Sequence, residues 1–327
     1  MKKIIAIVLS ALLLCAGAFA LSACDGRTRV SVLQFAQHGS LDNCYEGIVQ
    51  GLSERGYTEE NTNITRHIAN GDSAENTTAA QNIINASPAV AVGIATPSAY
   101  ALATAARGDV PVVFTAVSDP TAESADFSAF ENVTGSSDRL PVEQQLQLIR
   151  DFFNAKGKTG TVTVAIVYTL TEANSVSQIA QFEAAAGDYD VEIVTRGINN
   201  ATELVSAAEA LIGEGADCFN NLTDNTVVQS LNILLDRANG AGIPVFGSEI
   251  EQVQNGCIAS CSLDYVELGR RTGQMIADIL EGKDPDDIDY LYIEDGYTVD
   301  YNSDALEALG FTLPAGEGYS GANDVKA

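Results

Sequence analysis

Short polar clusters follow the apolar segments of this sequence, and side chains of these types could bind a small charged molecule. Where apolar segments form a parallel sheet, ligands bind beyond the carboxyl ends of the strands. The clusters are Gln34 to His38, Thr96 to Ser98, Ser118 to Pro120, Thr169 to Ser175, Thr223 to Thr226 and Ser248-Glu249. The sequence therefore predicts a polar site assembled from several separate loops.

Two of these clusters are suited to a carboxylate. Thr96-Pro97-Ser98 and Asn174-Ser175 stand where helices are expected to begin. A helix N-terminus offers N–H groups without intrahelical partners, and its dipole attracts anions. The alternative is that both clusters act only as ordinary helix caps. The sequence leaves both interpretations open.

Three carboxylates in or beside these clusters are suited to an ammonium group. Asp119, Asp224 and Glu249 could each meet such a group across a cleft through a charge-assisted hydrogen bond. Helix capping is again the alternative, particularly for Asp224. Phe35 is the aromatic residue best placed to reach a ligand, whereas Tyr168 and Phe246 fit a packed core.

Motifs for the common catalytic reactions are absent from the sequence. It contains no GxxxxGK[ST] phosphate loop and no GxGxxG opening the first helix, which disfavours nucleotide binding, and no GxSxG elbow of a serine hydrolase. His38 could act as a base, but a single histidine at a strand end also serves as a hydrogen-bonding residue of a cleft or as a partner of Asp42. We therefore expect a binding protein without cofactor or metal, and an exported enzyme is the weaker alternative.

Apolar and amphipathic segments alternate along the chain, as in an α/β fold with parallel sheets. The predicted strands are 30–36, 64–69, 89–95, 110–117, 161–168, 191–196, 217–222 and 243–246, and the predicted helices are 41–55, 73–85, one from Pro97, 142–153, 174–186, 201–212 and 226–238. The rhythm restarts near Asn132 to Gly135. The sequence therefore predicts two doubly wound lobes joined by a hinge. The first comprises residues 30–136 plus about 255–284, and the second comprises residues 137–254 plus about 285–327.

Length and charge agree with an acidic, two-lobed protein. The chain has 327 residues and a formal charge of −27, and chains longer than about 250 to 300 residues usually form more than one core. So few basic residues make nucleic acid an improbable partner, because duplex binding needs Lys and Arg to neutralise phosphates. The acidity itself is explained by solubility.

The first 24 residues have the pattern of a lipoprotein signal. Lys2 and Lys3 precede an apolar run that is too short for a membrane span of about 20 residues, and Leu21-Ser22-Ala23-Cys24 forms a lipobox. We expect residues 1–23 to be removed and Cys24 to be acylated on its sulfur, with residues 24–29 as a linker. The protein would then be anchored at the outer face of the cytoplasmic membrane. A plain signal peptide is the alternative.

Four cysteines remain after the lipobox. Cys257 and Cys261 would lie about 13 Å apart on a strand, beyond the reach of a disulfide, and their spacing fits no zinc site. We therefore expect Cys44, Cys218, Cys257 and Cys261 to be buried free thiols.

Several blocks, in the same order, resemble the lipoprotein substrate-binding subunits of ABC importers of the tryptophan/tyrosine-type family. These blocks are Leu33-Gln34-Phe35, His38, Leu41-Asp42, Ile94 to Pro97, Val113 to Pro120, Asn132 to Gly135, Glu172 to Ser175, Thr223 to Thr226, Ile243 to Phe246, Asp264-Tyr265 and Leu268-Gly269. The resemblance covers nearly all of the chain after the signal. It departs from the family at Gly39, where proline is common, at Cys44, where a small residue is usual, and at Glu249, where aspartate is typical. These departures concern the ligand and leave the fold expectation unchanged.

The resemblance implies a type I periplasmic-binding-protein fold whose two lobes, joined by a three-stranded hinge, close over a small ligand, often an aromatic amino acid. It also implies a monomer that delivers its ligand to an ABC permease and the associated ATPase. A lipoprotein that senses a ligand and signals to a membrane receptor is the alternative. Position by position, the resemblance indicates the cleft residues Phe35, His38, Thr96, Ser118, Asp119, Ser136, Asn174, Ser175, Asp224 and Asn225, to which the strand-end argument adds Glu249.

Overall fold

The structure is a computed structural model that describes residues 26–293 and 296–326. The predicted signal peptide and the acylated Cys24 lie outside the described residues. None of the helices within the described ranges is both long and apolar enough to span a membrane.

The N-terminal lobe is built on a six-stranded parallel sheet in the order β11-β5-β4-β3-β1-β2. Residues of β3 are buried throughout, as expected for a central strand covered by helices on both faces. The elements of this lobe are β1 (Thr28–Gln34), α1 (Gly39–Glu54), β2 (Thr62–Ile68), α2 (Ser73–Asn85), β3 (Val90–Ile94), α3 (Thr96–Ala106), β4 (Val112–Thr115), β5 (Val133–Ser137), α10 (Tyr265–Leu280) and β11 (Leu291–Tyr292).

The C-terminal lobe repeats this strand order in a parallel sheet β7-β6-β8-β9 and adds a smaller sheet, β10-β12-β13. Backbone hydrogen bonds from Gly247 N to Ala259 O (2.9 Å) and from Ile258 N to Val245 O (2.8 Å) join the two sheets. The elements are α4 (Val142–Ala155), β6 (Val162–Thr169), α5 (Ala173–Ala185), β7 (Val191–Ile198), α6 (Leu204–Gly213), β8 (Cys218–Asn220), α7 (Asn225–Gln229), α8 (Leu231–Gly240), β9 (Val245–Phe246), α9 (Ile250–Gln254), β10 (Ala259–Ser262), β12 (Thr298–Tyr301), α11 (Ser303–Leu309) and β13 (Asn323–Asp324).

The chain crosses between the lobes after β5, after β10 and after β11, and the last two crossings differ from the predicted boundaries. β10 pairs with β12 of the C-terminal lobe, although the sequence assigned residues from about 255 to the first lobe. β11 pairs with β5 of the N-terminal lobe, although residues from about 285 were assigned to the second. The chain therefore stays in each lobe for several residues beyond the predicted boundary, because β10 begins the smaller sheet of the C-terminal lobe and β11 joins the N-terminal sheet beside β5.

Helix bounds follow the sequence pattern closely. The N-cap of α2 is Asp72, whose carboxylate accepts hydrogen bonds from Ala74 N and Glu75 N. The predicted helix 226–238 is divided at Ser230 into α7 and α8. The four cysteines within the described ranges are free and buried, as expected.

Helices α1 and α10 pack so closely that glycine is required where they cross. Gly47 and Gly51 of α1 and Gly269 and Gly273 of α10 face backbone atoms of the opposite helix, and a Cβ at any of these positions would overlap a carbonyl oxygen. Both pairs have a spacing of four residues, which places them on one face of each helix. This contact fixes the start of α1, which contributes to the site described below.

We expect Gly51→Ala to destabilise the protein by about 2 to 3 kcal/mol, because the added methyl group pushes the two helix backbones apart. Gly240→Ala is the matched control, since Gly240 lies on α8 and a Cβ there meets no atom within 4 Å. Urea unfolding of the chain from residue 25 onward would measure both. Equal stability of the two variants would contradict the predicted overlap.

Candidate functional site

A small cavity lies between the lobes at the carboxyl ends of their strands. Its volume is about 10 Å³, far below the volume of about 300 Å³ at the lower end of ligand pockets, so the lobes must part for a ligand to enter. Its walls come from the loops after β1, β3, β4 and β5 on one side and after β6, β8 and β9 on the other. The lining residues are His38, Leu41, Ala95, Thr96, Ala116, Ser118, Asp138, Asn174, Thr223, Asn225 and Glu249.

Two alanines of the cavity wall have backbone conformations that L-residues rarely adopt. Ala95 has φ 76° and ψ 151° at the start of α3, and Ala116 has φ 52° after β4. Such conformations cost about 1 to 3 kcal/mol and tend to occur at functional sites. Here they turn the chain sharply at the strand ends and present only a methyl group to the cavity.

Four side-chain atoms around the cavity are buried and have no hydrogen-bond partner. These atoms are His38 Nδ1, Thr96 Oγ1, Asp138 Oδ1 and Asn174 Oδ1. Each buried polar atom without a partner costs about 1 to 3 kcal/mol, and such atoms are rare in folded proteins. Three of them are acceptors, so the cavity is suited to a molecule that donates several hydrogen bonds.

Asp138 and Glu249 bring carboxyl groups to the cavity without a cation. Burial is the largest cause that raises the pKa of Asp138, and it raises the pKa of Glu249 to about 8, with the charge of the neighbouring Glu251 adding to the effect. Asp138 Oδ2 accepts from Tyr265 Oη at 2.9 Å, and Glu249 Oε2 accepts from Gln252 Nε2 at 2.9 Å. No Lys or Arg is among the cavity-lining residues. An ammonium group is the chemical partner that this arrangement favours.

Helix α3 presents its N-terminus to the cavity beside these acids. Thr96 begins the helix, and its buried hydroxyl has no partner. The N–H groups of Thr96 and Ser98 lie in the first turn, where no intrahelical acceptor is available, and Pro97 has no N–H. This end of the cavity therefore suits a carboxylate.

The second predicted anion site, Asn174-Ser175, is arranged differently because acids of the protein already occupy it. Ser175 Oγ donates to Asp224 at 2.8 Å, and Asn174 Nδ2 donates to the Thr223 carbonyl at 3.0 Å. Glu172 accepts from the backbone N–H and the side-chain amide of Asn225 at 2.9 and 2.7 Å. Burial and the nearby Asp224 raise the pKa of Glu172 to about 7. Asn174 therefore offers the cavity only its free acceptor, Oδ1.

His38 links the two lobes at the cavity. Its Nε2 lies 3.3 Å from Asn225 Oδ1, at the start of α7. Burial lowers the pKa of His38 to about 4, so the ring is neutral at physiological pH. The residue as a whole is partly exposed, but its Nδ1 is fully buried at the cavity.

Of the eleven predicted ligand-binding residues, the structure brings six to the cavity and places five elsewhere. His38, Thr96, Ser118, Asn174, Asn225 and Glu249 line it. Phe35 packs in the core of the N-terminal lobe, and Ser136 donates to Thr115 Oγ1 beneath the sheet. Asp224 caps α7 by accepting from Val227 N at 3.0 Å, which is the alternative kept open above. The fourth, Ser175, bonds to Asp224, and the fifth, Asp119, lies at a contact between the lobes.

Four lining residues lie outside both the predicted binding residues and the predicted polar clusters: Leu41, Ala95, Ala116 and Asp138, whereas Thr223 belongs to the predicted cluster Thr223 to Thr226. Asp138 is the most informative of them. It follows β5 directly, so the strand-end rule could have found it had residues 133–137 been predicted as a strand rather than as a junction between lobes. The small side chains of Ala95 and Ala116 carried no polar signal.

The lobes are closed on each other around this cavity. Ser40 Oγ donates to Glu251 Oε2 at 2.8 Å, Ser177 Oγ donates to Asp119 Oδ2 at 2.7 Å, and Gln178 Nε2 donates to Ser118 Oγ at 2.8 Å. A Cβ at Gly39 would lie 2.6 Å from Glu251 Cγ. A larger residue at this position would therefore press against Glu251 in the closed arrangement, and Gly39 avoids this overlap.

Two α/β lobes that are crossed three times by the chain and closed over a polar cavity define the class of two-lobed solute-binding proteins. Within the described ranges no group of three or more His, Cys, Asp or Glu side chains is arranged to hold a metal ion. The polar side chains that line the cavity carry hydroxyl, amide, imidazole and carboxyl groups, which are suited to recognition through hydrogen bonds and charge.

Residues 29–316 match the family described as ABC transporter substrate binding protein, and the chain belongs to that family. The tyrosine-binding protein of Clostridioides difficile (strain R20291) is 30% identical over 285 residues, which cover 86% of this chain and 80% of that protein. Among solved structures, the ABC domain in complex with L-Trp from Streptococcus pneumonia is 29% identical, with a TM-score of 0.84 and coverage of 91% of this chain and 99% of that one. The predicted family and the two-lobed type I fold are confirmed.

A second solved relative supports the closed arrangement. The ligand-free, open structure of a substrate binding protein with adhesive properties from Clostridium difficile is 30% identical and covers 92% of this chain and 99% of that one, but its TM-score is only 0.66. Identity and coverage are nearly the same as for the L-Trp complex. This chain therefore superposes more closely on the L-Trp complex than on the ligand-free, open structure.

Proposed function

We propose that this protein captures an amino acid with an aromatic side chain, as a zwitterion, and delivers it to an ABC permease. The observation that carries the proposal is the pairing of opposite chemistries around one cavity. Asp138 and Glu249 offer carboxylates to an ammonium group, and the N-terminus of α3 with Thr96 offers donors to a carboxylate. An α-amino acid is a small molecule that carries both groups on one carbon.

The aromatic preference has separate support. One relative is named a tyrosine-binding protein, and another was solved with L-Trp. In this chain the cavity wall near the strand ends is formed by the methyl groups of Ala95 and Ala116 and by Leu41. These small apolar surfaces are suited to contact with a flat ring when the lobes close on a ligand.

Calorimetric titration of the chain from residue 25 onward, unfolded and refolded to remove bound ligand, tests this function. We expect L-Tyr and L-Trp to bind. Tyramine, which lacks the carboxylate, and 3-(4-hydroxyphenyl)propionate, which lacks the ammonium group, should bind at least about 100-fold more weakly, because each leaves buried groups of the site unpaired. Absence of heat with every L-amino acid would refute the proposal.

We also propose that the protein works outside the cytoplasmic membrane, anchored through acylated Cys24. The support is the lipobox Leu21-Ser22-Ala23-Cys24 after a short apolar run, together with a family whose members collect substrates for importers. An anchor keeps the receptor close to its permease. Cys24→Ala should move the protein from the membrane fraction to the soluble fraction of the producing cell, and unchanged membrane association would reject the lipid anchor.

A further inference from the structure

We propose that His38 Nδ1 accepts a hydrogen bond from the side chain of the ligand, so that the site selects indole and phenol side chains over a plain phenyl ring. This inference rests on the proposed amino-acid ligand and specifies which amino acids the site selects. It makes His38 a specificity-determining residue.

The first step is the state of the histidine ring, which Glu172 sets through Asn225. Asn225 Nδ2 donates to Glu172 Oε2 at 2.7 Å, so the amide oxygen of Asn225 must point the other way, toward His38. A flipped amide would place its oxygen against the carboxylate that also accepts from Asn225 N and Thr226 N. His38 Nε2 therefore carries the hydrogen and donates to Asn225 Oδ1.

The second step follows from the neutral state of the His38 ring. Burial keeps His38 uncharged, and a neutral imidazole has only one N–H. Since that hydrogen is on Nε2, Nδ1 presents a lone pair. Nδ1 is buried at the cavity and has no partner in the protein. It can be satisfied only by a donor, and the carboxylate of a ligand cannot supply one.

The third step is a count of acceptors against donors. Besides His38 Nδ1, the cavity presents Asp138 Oδ1, Asn174 Oδ1 and the carboxyl group of Glu249. An ammonium group has three N–H donors, so it can satisfy three acceptors and leaves one. Of these four groups, only Asp138 and Glu249 are carboxyl groups that can carry a negative charge, so we assign the ammonium to them. His38 stands apart on the loop after β1, bonded to α7.

A ligand that carries one more hydrogen-bond donor, on its side chain, can satisfy the remaining acceptor, His38 Nδ1. The indole N–H and the phenol O–H are donors, whereas a phenyl ring has none. A site built to bond such a hydrogen rejects an analogue without it far more strongly than a site that only fits its shape, because the acceptor is then left unpaired. His38 thus recognises the polar atom of the aromatic ring of the ligand, and Asp138 and Glu249 recognise its amino group.

The test compares ligands of equal shape that differ in this one hydrogen. L-Trp is titrated against L-3-(3-benzothienyl)alanine, in which sulfur replaces the indole N–H, and L-Tyr is titrated against L-Phe. We expect the wild-type protein to bind the donor-bearing ligand at least 10-fold more tightly in each pair. In His38→Leu the ratio should fall to within about 2-fold, and His38→Gln, which keeps an acceptor, should restore part of it.

Each outcome decides between the two proposals. If wild type binds both members of each pair equally, the role of His38 is refuted while amino-acid binding stands, and this comparison needs no variant. A ratio that is unchanged in folded His38→Leu refutes it as well. If no amino acid binds, the proposed function itself fails.

Discussion

Asp138→Asn is expected to weaken the binding of L-Trp and L-Tyr by about 100- to 1,000-fold. The substitution removes the charge that faces the ammonium group but keeps the shape of the side chain and an oxygen for the Tyr265 hydroxyl. Truncating one partner of a buried, hydrogen-bonded charge pair costs about 2 to 5 kcal/mol, which corresponds to a loss of affinity of about 30- to 5,000-fold, and the expected loss lies within this range. Calorimetric titration of the refolded variant would measure the loss.

Asp264→Asn is the matched control for this prediction. Asp264 is an exposed N-cap of α10 that accepts from Val266 N and Glu267 N and does not line the cavity. Asparagine caps a helix about as well as aspartate, so this variant should bind like wild type. An Asp138→Asn protein that binds as tightly as the Asp264→Asn control would remove Asp138 from the ammonium site.

The division into elements could be predicted because it depends on local patterns. The apolar run Val90–Ile94 is buried on all sides, and the helix Ser73–Asn85 has the predicted bounds. The lobe boundaries could not be predicted in the same way. β11 has only two residues and is defined by its pairing with β5, far away in the sequence, so no periodicity marks it.

Local sequence patterns are also insufficient to predict the roles of single residues in the candidate site. The strand-end rule selects Asp224 and Glu249 equally, since both are acids in loops after strands. Their roles separate only when their hydrogen bonds are counted. Asp224 accepts from Thr169, Ser175 and Val227 within its own lobe, whereas Glu249 accepts from Gln252 Nε2 and faces the cavity. The donors that reach each carboxylate in the folded protein decide the role of that residue. Its position in the sequence does not indicate which donors these are.

The acids of the cleft also predict how the ligand-free protein responds to pH. Closure buries Glu249 and raises its pKa from an ordinary value of 4.5 to about 8, and burial raises the pKa of Asp138 and of Glu251 in the same direction. In an open protein these groups meet water and their pKa values return toward the ordinary range. The closed form therefore binds protons that the open form releases between about pH 4.5 and pH 8. Closure without ligand is favoured at the low end of this window and is lost as the pH rises through it.

We expect the ligand-free protein to become more closed when the pH is lowered from 8 to 5.5, by at most about 10-fold in the ratio of closed to open per pH unit for one group, or about 1.4 kcal/mol. The radius of gyration from small-angle X-ray scattering should fall accordingly. With L-Trp bound it should stay small at both pH values, because the ammonium group replaces the proton as the partner of the carboxylates.

Glu249→Gln isolates the cause, since it keeps the shape of the side chain and removes its charge. This variant should close without ligand even at pH 8 and lose most of the pH response, whereas the exposed Glu59→Gln should behave like wild type. A radius of gyration that is the same at pH 8 and pH 5.5 in the ligand-free wild type would contradict the argument. If the response is found, the same charges that bind the amino group also hold the empty receptor open, so that a cationic ligand group is what allows the lobes to close at neutral pH.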